Sequence, residues 1–304
     1  MICAGLMATL PTSESNGGAR PSSVDYRPSG RGTMDHTMLT FMTYNIKNAA
    51  VGRLDAIVAV IRAYRPDVLA LQELGQLYRR PRRLLARIEA ATGMRGHAAR
   101  SLAGQAVAVL VRPPGMIMST GRVRRPLHHA AALLSVDTCA GPITVMSAHL
   151  HATSTGRRLR EARWLVGKRP PRLTVLMGDL NTLDPGTEHH ASLAAVPARY
   201  RHRHVTHGQV DTRAVQILSD AGLVDLCHLA GTGLQESVPT KLDGREFPAA
   251  RLDYILATAP LAALTREVHV IRDASTDTAS DHYPMIARVD LHFATPSSRS
   301  GPGH

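Results

Sequence analysis

Apolar positions along the chain fall into two periods. Short runs rich in Val, Ile, Leu and Met predict strands at 38–44, 67–71, 106–111, 131–136, 143–148, 173–177, 252–256, 267–271 and 285–291. Between some of them the period changes. Leu54, Ile57, Val58, Ile61 and Tyr64 sit at helical spacing in 53–64, and Pro66 stops the helix. Leu84, Leu85 and Ile88 predict a second helix, residues 156–168 a third, and 211–221 a fourth with Asp211 as its N-cap. Strands outnumber helices, and several connections are too short to hold a crossover helix. The pattern favours a mixed α/β sandwich over a doubly wound parallel sheet. Residues 1–36 are rich in Ser, Gly, Pro and Arg without an apolar period and read as a disordered tail, with Met34 an alternative start. Residues 295–304 read as a second tail, and 37–294 hold no linker or repeat, so one domain is expected.

A polar residue recurs where the apolar runs end. FMTYN closes on Asn45, VLALQE on Glu73, TVMSAH on His149, and LTVLMGDLN on Asp179 and Asn181. RLDYIL places Asp253 at the start of a strand, and ASDHYP places Asp281 and His282 just before the last one. Each has an ordinary reading. Asn45 and the Gly178–Asn181 segment suit turns with Asx bonds, Glu73 a buried ion pair, His149 an interior hydrogen bond, and Asp281 with His282 a turn before Pro284. Their recurrence in order is what chance turns do not explain.

In this order TYNIKN, LALQEL, SAHLHA, GDLN, RLDYIL and SDHYPM resemble the motif set of the exonuclease–endonuclease–phosphatase superfamily. Pancreatic-type deoxyribonucleases, apurinic endonucleases, neutral sphingomyelinases and inositol-polyphosphate 5-phosphatases belong to it. The resemblance runs from about 39 to 291. It implies an α/β fold, a four-layer sandwich of two mixed β-sheets flanked by helices, with a divalent-metal phosphoesterase site at one sheet edge. By that resemblance Glu73 anchors Mg²⁺ or Mn²⁺, Asn45 completes the metal shell or orients the phosphate, and Asp281 adds a carboxylate. His282 is the general acid/base, held by Asp253. Asp179 aligns or deprotonates the attacking water, and Asn181 donates a hydrogen bond to a phosphoryl oxygen. His149 donates a second one or protonates the leaving group. Ser147-Ala148-His149-Leu150 resembles the deoxyribonuclease and sphingomyelinase branches. Lys47 stands where apurinic endonucleases carry an acid, and GQAVAVLVR lacks the tyrosine of that branch.

Charge bears on the substrate. The chain of 304 residues carries a formal charge of +12 with a pI near 10.4. Lys47, Lys168 and Lys241 are its only lysines, an arginine bias that a GC-rich genome produces as readily as a function. Its distribution says more: 75–130 hold eleven Arg against Glu89, whereas 173–290 hold fifteen acids against ten basic residues. That suits cations bound at one place and a polyanion beside it, and favours DNA or RNA as substrate. A phospholipid head group, a small phosphorylated metabolite and a non-catalytic binding role are the alternatives. Arg157, Arg158, Arg160 and Arg163 read as phosphate contacts or as a solvated helix face, and Trp164 as core rather than a base-stacking platform. The histidines of 189–207 read as a solvated insertion, with a transition-metal site as the alternative. Cys3, Cys139 and Cys227 lack metal or disulfide spacing, and no apolar run approaches the ~20 residues of a membrane span. A cytoplasmic monomer is expected.

Overall fold

The computed structural model describes residues 37–76, 80–167 and 170–292. Both predicted tails, and Met34, lie outside the described residues. Those residues belong to the compact unit Asp35–His304. Its strands are β1 (Met38–Asn45), β2 (Val68–Gln72), β3 (Arg95–Ala99), β4 (Val107–Val111), β5 (Ile117–Arg122), β6 (Ala131–Val136) and β7 (Ile143–His149). After them come β8 (Thr174–Asp179), β9 (Val205–Thr206), β10 (Gln209–Val210), β11 (Leu223–Asp225), β12 (Asp253–Thr258), β13 (Thr265–Val270) and β14 (Met285–Asp290). The helices are α1 (Leu54–Tyr64), α2 (Pro81–Thr92), α3 (Thr155–Val166), α4 (His190–Ala195), α5 (Ala198–Arg201), α6 (Arg213–Asp220), α7 (Leu226–Ala230) and α8 (Ala259–Ala262).

Two six-stranded sheets result, ordered β13-β14-β1-β2-β4-β3 and β11-β12-β8-β7-β6-β5, with β9 and β10 as a separate hairpin. Both sheets are mixed: β1 runs parallel to β2 and β7 parallel to β8, and every other pair within them is antiparallel. All nine predicted strands are present. The unpredicted β3, β5 and β11 each end a sheet, where one flank is unpaired and little apolar surface is needed.

The two-residue period of the strands sorts their side chains into layers. Leu39 and Phe41 of β1, Val68 and Ala70 of β2, Val145 of β7 and Val175 and Met177 of β8 fill the core between the sheets. Met42, Tyr44, Leu69 and Leu71 point the other way and meet Ile57, Val60 and Ile61 of α1 and Leu84, Leu85 and Ile88 of α2. On the far side, Met146, Leu176, Tyr254 and Leu256 meet Ala162 and Leu165 of α3 and Ala214, Val215 and Leu218 of α6. Helix α3 begins where the Ser154 hydroxyl accepts the Arg157 N–H. Among the described residues no helix is long and apolar enough to cross a membrane.

Candidate active site

The inner face of the sandwich changes character at one end. Along β1 it reads Leu39, Phe41, Thr43, Asn45; along β7 Ile143, Val145, Ser147, His149; along β8 Val175, Met177, Asp179. The same parity runs through Val68, Ala70 and Gln72 of β2 and backward through Ala257, Ile255 and Asp253 of β12. Polar residues thus continue the core positions where four strands leave it, all buried to 3 % exposure or less. Below the site, Thr43 donates to the Gln72 side-chain oxygen (3.3 Å) and Gln72 to Ser147 Oγ (3.2 Å), a polar band joining the sheets. Pairing explains why Asp253 and His282 arrive from strand starts. β12 is antiparallel to β8, with Asp253 opposite Asp179, and β14 is antiparallel to β1, with Met285 opposite Thr43.

Asp179 is the hub. Its carboxylate accepts Asn45 Nδ2 at 3.0 Å and the Asn181 N–H at 2.9 Å, with His149 Nε2 at 3.4 Å and His282 Nε2 at 3.7 Å. His282 Nδ1 lies 2.7 Å from Asp253 Oδ2, and the Phe247 ring meets the His282 imidazole edge-on at 5.3 Å. Gly178 lets this end of β8 close on β7: a Cβ there would lie 1.9 Å from the Ala148 carbonyl oxygen, at a φ of +147°. Glu73 departs from the inner-face parity and is re-aimed by a φ of +63°. It accepts Gln105 Nε2 at 2.6 Å, the Asn48 N–H at 2.7 Å and Asn45 Nδ2 at 3.3 Å. Asp281 pairs with Lys47 Nζ at 3.0 Å, and Lys47 also reaches Asp243 at 2.8 Å. Ser280 donates to the Asn45 carbonyl at 2.7 Å, tying the Asp281 segment to β1.

Electrostatics separates the roles. Burial pushes the Asp179 carboxyl up to about 7, aided by the Asp253 charge and opposed by His282. Burial disfavours the His282 cation, but the Asp253 and Asp179 carboxylates outweigh it and raise His282 to about 10. His149 moves the other way: burial, with His129 and His282 beside it, holds it well below the histidine range. His149 Nε2 faces the Asp179 carboxylate, and its burial disfavours the imidazolium form. One hydrogen of the Asn181 amide is already given to the Leu150 carbonyl (3.1 Å).

The structure brings Asn45, Glu73, His149, Asp179, Asn181, Asp253 and His282 into one contact network, with Asp281 joined through Lys47 and Ser280. Asp179, Asp253 and His282 are close enough to share a cation. Gln105 and His129 are additional members. Gln105 donates its side chain to Glu73 and its N–H to His129 Nδ1 at 3.0 Å, and the His129 ring stacks on His149. Their signal was the same strand-end polarity, but on the entering ends of β4 and β6. A second acid and histidine group, Asp184, Asp225 and His228, already holds a cation of its own: Arg251 reaches Asp225 at 2.7 Å and Asp184 at 3.3 Å. The expected solvated insertion at 189–207 needs correction. His190, His202 and His207 are exposed, but His189 and His204 are buried, because α4 folds Leu193 onto Val238, Ala250 and Leu252. Arg158 is buried too, unlike Arg157, Arg160 and Arg163 on the same helix, and donates to the Arg203 carbonyl.

The sequence model of the Endonuclease/Exonuclease/phosphatase family matches residues 42–282, and the chain belongs to that family. Its members are in general hydrolytic phosphoesterases that use divalent metals. The fold is similar to that of an endonuclease/exonuclease/phosphatase family protein from Bacteroides thetaiotaomicron (TM-score 0.62, 17% identity, 83% of this chain and 95% of that chain). It is similar to that of an AP endonuclease from Archaeoglobus fulgidus (TM-score 0.59, 20% identity, 83% and 99%). Truncated TDP2 from Caenorhabditis elegans is a third such structure (TM-score 0.57, 16% identity, 83% and 98%). No curated protein matches the sequence.

Proposed function

We propose that the protein hydrolyses phosphodiester bonds of DNA or RNA with a divalent cation, magnesium or manganese. The observation that carries this reading is the continuous series of contacts from Glu73 through Asn45 and Asp179 to His282 and Asp253. The donor set fits a hard cation. Glu73 accepts three N–H bonds, and an ionised carboxylate offers about four lone-pair sites, so one remains. Glu73 would hold the ion, with Asn45 and Asp281 completing its surroundings. Once bound, the cation neutralises phosphate charge and eases loss of a proton from water.

The chain's own groups supply the rest. Asp179, whose carboxyl burial raises to about 7, accepts a proton from the attacking water. His282, protonated through its Asp253 partner, faces the phosphate as a donor and gives up its proton to the departing oxygen. Asn45 spends both amide hydrogens in orienting the Asp179 and Glu73 carboxylates, and the second hydrogen of the Asn181 amide is a donor for a phosphoryl oxygen. Nucleic acid is favoured as substrate by the basic stretch of residues 75–130 and by exposed arginines beside the site.

The test incubates purified protein with Mg²⁺, Mn²⁺ or EDTA and plasmid DNA, single strands, RNA, sphingomyelin or inositol phosphates. Metal-dependent cleavage of a nucleic acid is expected, abolished by Glu73→Ala and His282→Ala. Metal-independent activity, or full activity in either variant, would sink the mechanism, and cleavage of the lipid or inositol phosphates alone would sink the substrate.

A further inference from the structure

Beside the site, three distant segments are tied together. In the β3–β4 connection the Ser101 hydroxyl donates to the His128 carbonyl at 2.6 Å and accepts the Ala103 and Gly104 N–H groups. A Cβ on Gly104 would lie 2.6 Å from the His128 carbonyl oxygen and 2.7 Å from His129 Nδ1, so only glycine fits this approach. From the other side Glu161 of α3 accepts the N–H groups of His128 and His151, each at 2.7 Å. The fixed floor runs from His149, under the stacked His129, to His128 and α3.

Two depressions of about 490 and 320 Å³ open on this floor and share Ala103, Pro126 and Leu127. Arg100, Arg122, Arg124 and Arg125 line the first; Arg157 and Arg160 line the second, beside His128 and Trp164. All six arginines are exposed, and among the described residues none has an ion-pair or side-chain hydrogen-bond partner. Elsewhere Arg213, Arg251 and Arg266 pair with Asp211, Asp225 and Asp290. The sole nearby acid, Glu161, is buried and engaged by backbone. Six like charges fixed around two hollows repel one another until an anion enters. Trp164 packs against the core, as expected, and also lines the second hollow.

We propose that this surface seats single-stranded nucleic acid, with phosphates on the six arginines and a base in the Trp164–His128 hollow. The strand then passes over His129 to Asp179 and His282. This deepens, and rests on, the nucleic-acid reading of the active site. Arginines interleaved with ring side chains take unstacked bases, whereas a duplex offers its backbone and only base edges.

Trp164 is the only tryptophan in the chain, so its emission reports on this hollow without labelling. In EDTA, titration with an oligothymidylate is expected to quench Trp164 saturably. Binding of a labelled oligothymidylate, followed by anisotropy, is expected to weaken about tenfold or more in Arg157→Gln/Arg160→Gln and in Arg124→Gln/Arg125→Gln. The dependence of log K on log salt is expected to fall by roughly 0.7 for each phosphate that the variant no longer neutralises. Arg62→Gln/Arg266→Gln, with the same charge change on other elements, is expected to bind as the parent does. Absent quenching, unchanged affinity in both track variants, or an equal loss in the Arg62/Arg266 variant overturns the proposal. So does equal quenching by a duplex of the same length or by heparin. Hydrolysis of bis(p-nitrophenyl) phosphate with Mn²⁺ separates the two readings. If the track variants retain it while losing the oligonucleotide, the track stands apart from the chemistry. If the parent protein binds and quenches but hydrolyses no diester, the enzymatic reading falls and the track remains.

Discussion

The imidazoles of His129 and His149 lie stacked, their centroids 3.8 Å apart and their planes within 2° of parallel. His149 Nε2 faces Asp179 at 3.4 Å, so this stack sets the angle from which a neutral N–H approaches the hub carboxylate. A ring pair of this kind is worth roughly 0.5–1.5 kcal/mol, and 1.36 kcal/mol is about tenfold in rate. His129→Leu is therefore expected to lower kcat by up to about tenfold with little change in KM. Steady-state kinetics on a soluble diester checks it. An unchanged kcat would show that His149 is oriented without its neighbour.

His282 depends on Asp253 more directly. The carboxylate holds Nδ1 at 2.7 Å and supplies charge that keeps the imidazole protonated despite its burial. Asp253→Asn preserves shape and removes that charge. General acid–base groups contribute about 10²–10⁴-fold, and kcat is expected to fall within that range while the thermal midpoint changes little. Unimpaired turnover in Asp253→Asn would take the pair out of the mechanism.

These residues were legible in the sequence because they obey the strand period. Asn45, His149, Asp179 and Asp253 occupy inner-face positions that the preceding apolar residues fill with core, and a polar residue there stands out. Gln105 and His129 precede β4 and β6 and, unlike Asp253 and His282, lie in none of the six motifs. Which strand starts share an edge with which strand ends depends on pairing direction, here antiparallel β4 to β2 and β6 to β7. Local pattern does not encode that. The edge strands β3 (RGHAA) and β5 (IMSTGR) escaped for a different reason: with one flank open they carry little apolar signal. His189 and His204 were misjudged because burial of a polar ring comes from tertiary packing, which composition cannot report.

Acid should destabilise the fold well above the carboxylate range. Burial, with His128 and His151 adjacent, lowers His129 to about 3, and burial with His128 and the nearby arginines lowers His151 to about 4. Both are neutral in the folded state at pH values where the unfolded chain, with a histidine pKa near 6.5, binds protons. Their contribution is complete above about pH 6.5 and is lost as pH falls towards 4 and 3. His151 Nδ1 accepts the Thr153 and Ser154 N–H groups at 3.2 and 3.1 Å, a role that an asparagine oxygen can take over. Urea unfolding at stepped pH is expected to show a shallower decline between about 6.5 and 4 in His151→Asn than in the parent. Parallel curves would mean that His151 titrates normally in the fold.

Glu161 carries a structural load that its place on a basic helix hides. Its two carboxylate oxygens accept the N–H groups of His128 and His151 separately, each at 2.7 Å, joining the segments before β6 and after β7 to α3. The residue is 3 % exposed, and Glu161→Ala leaves both donors without their partner in a buried setting. An unsatisfied buried group costs about 1–3 kcal/mol, and a loss of roughly 2–4 kcal/mol in urea unfolding is expected for the pair. Arg160→Ala, one residue away and exposed, is expected to stay within about 0.5 kcal/mol of the parent. Because the same carboxylate fixes the floor between His128 and His151, Glu161→Ala is also expected to weaken oligonucleotide binding, which the exposed arginines alone would not require. A loss no larger than that of Arg160→Ala would show that water replaces the carboxylate at both N–H groups.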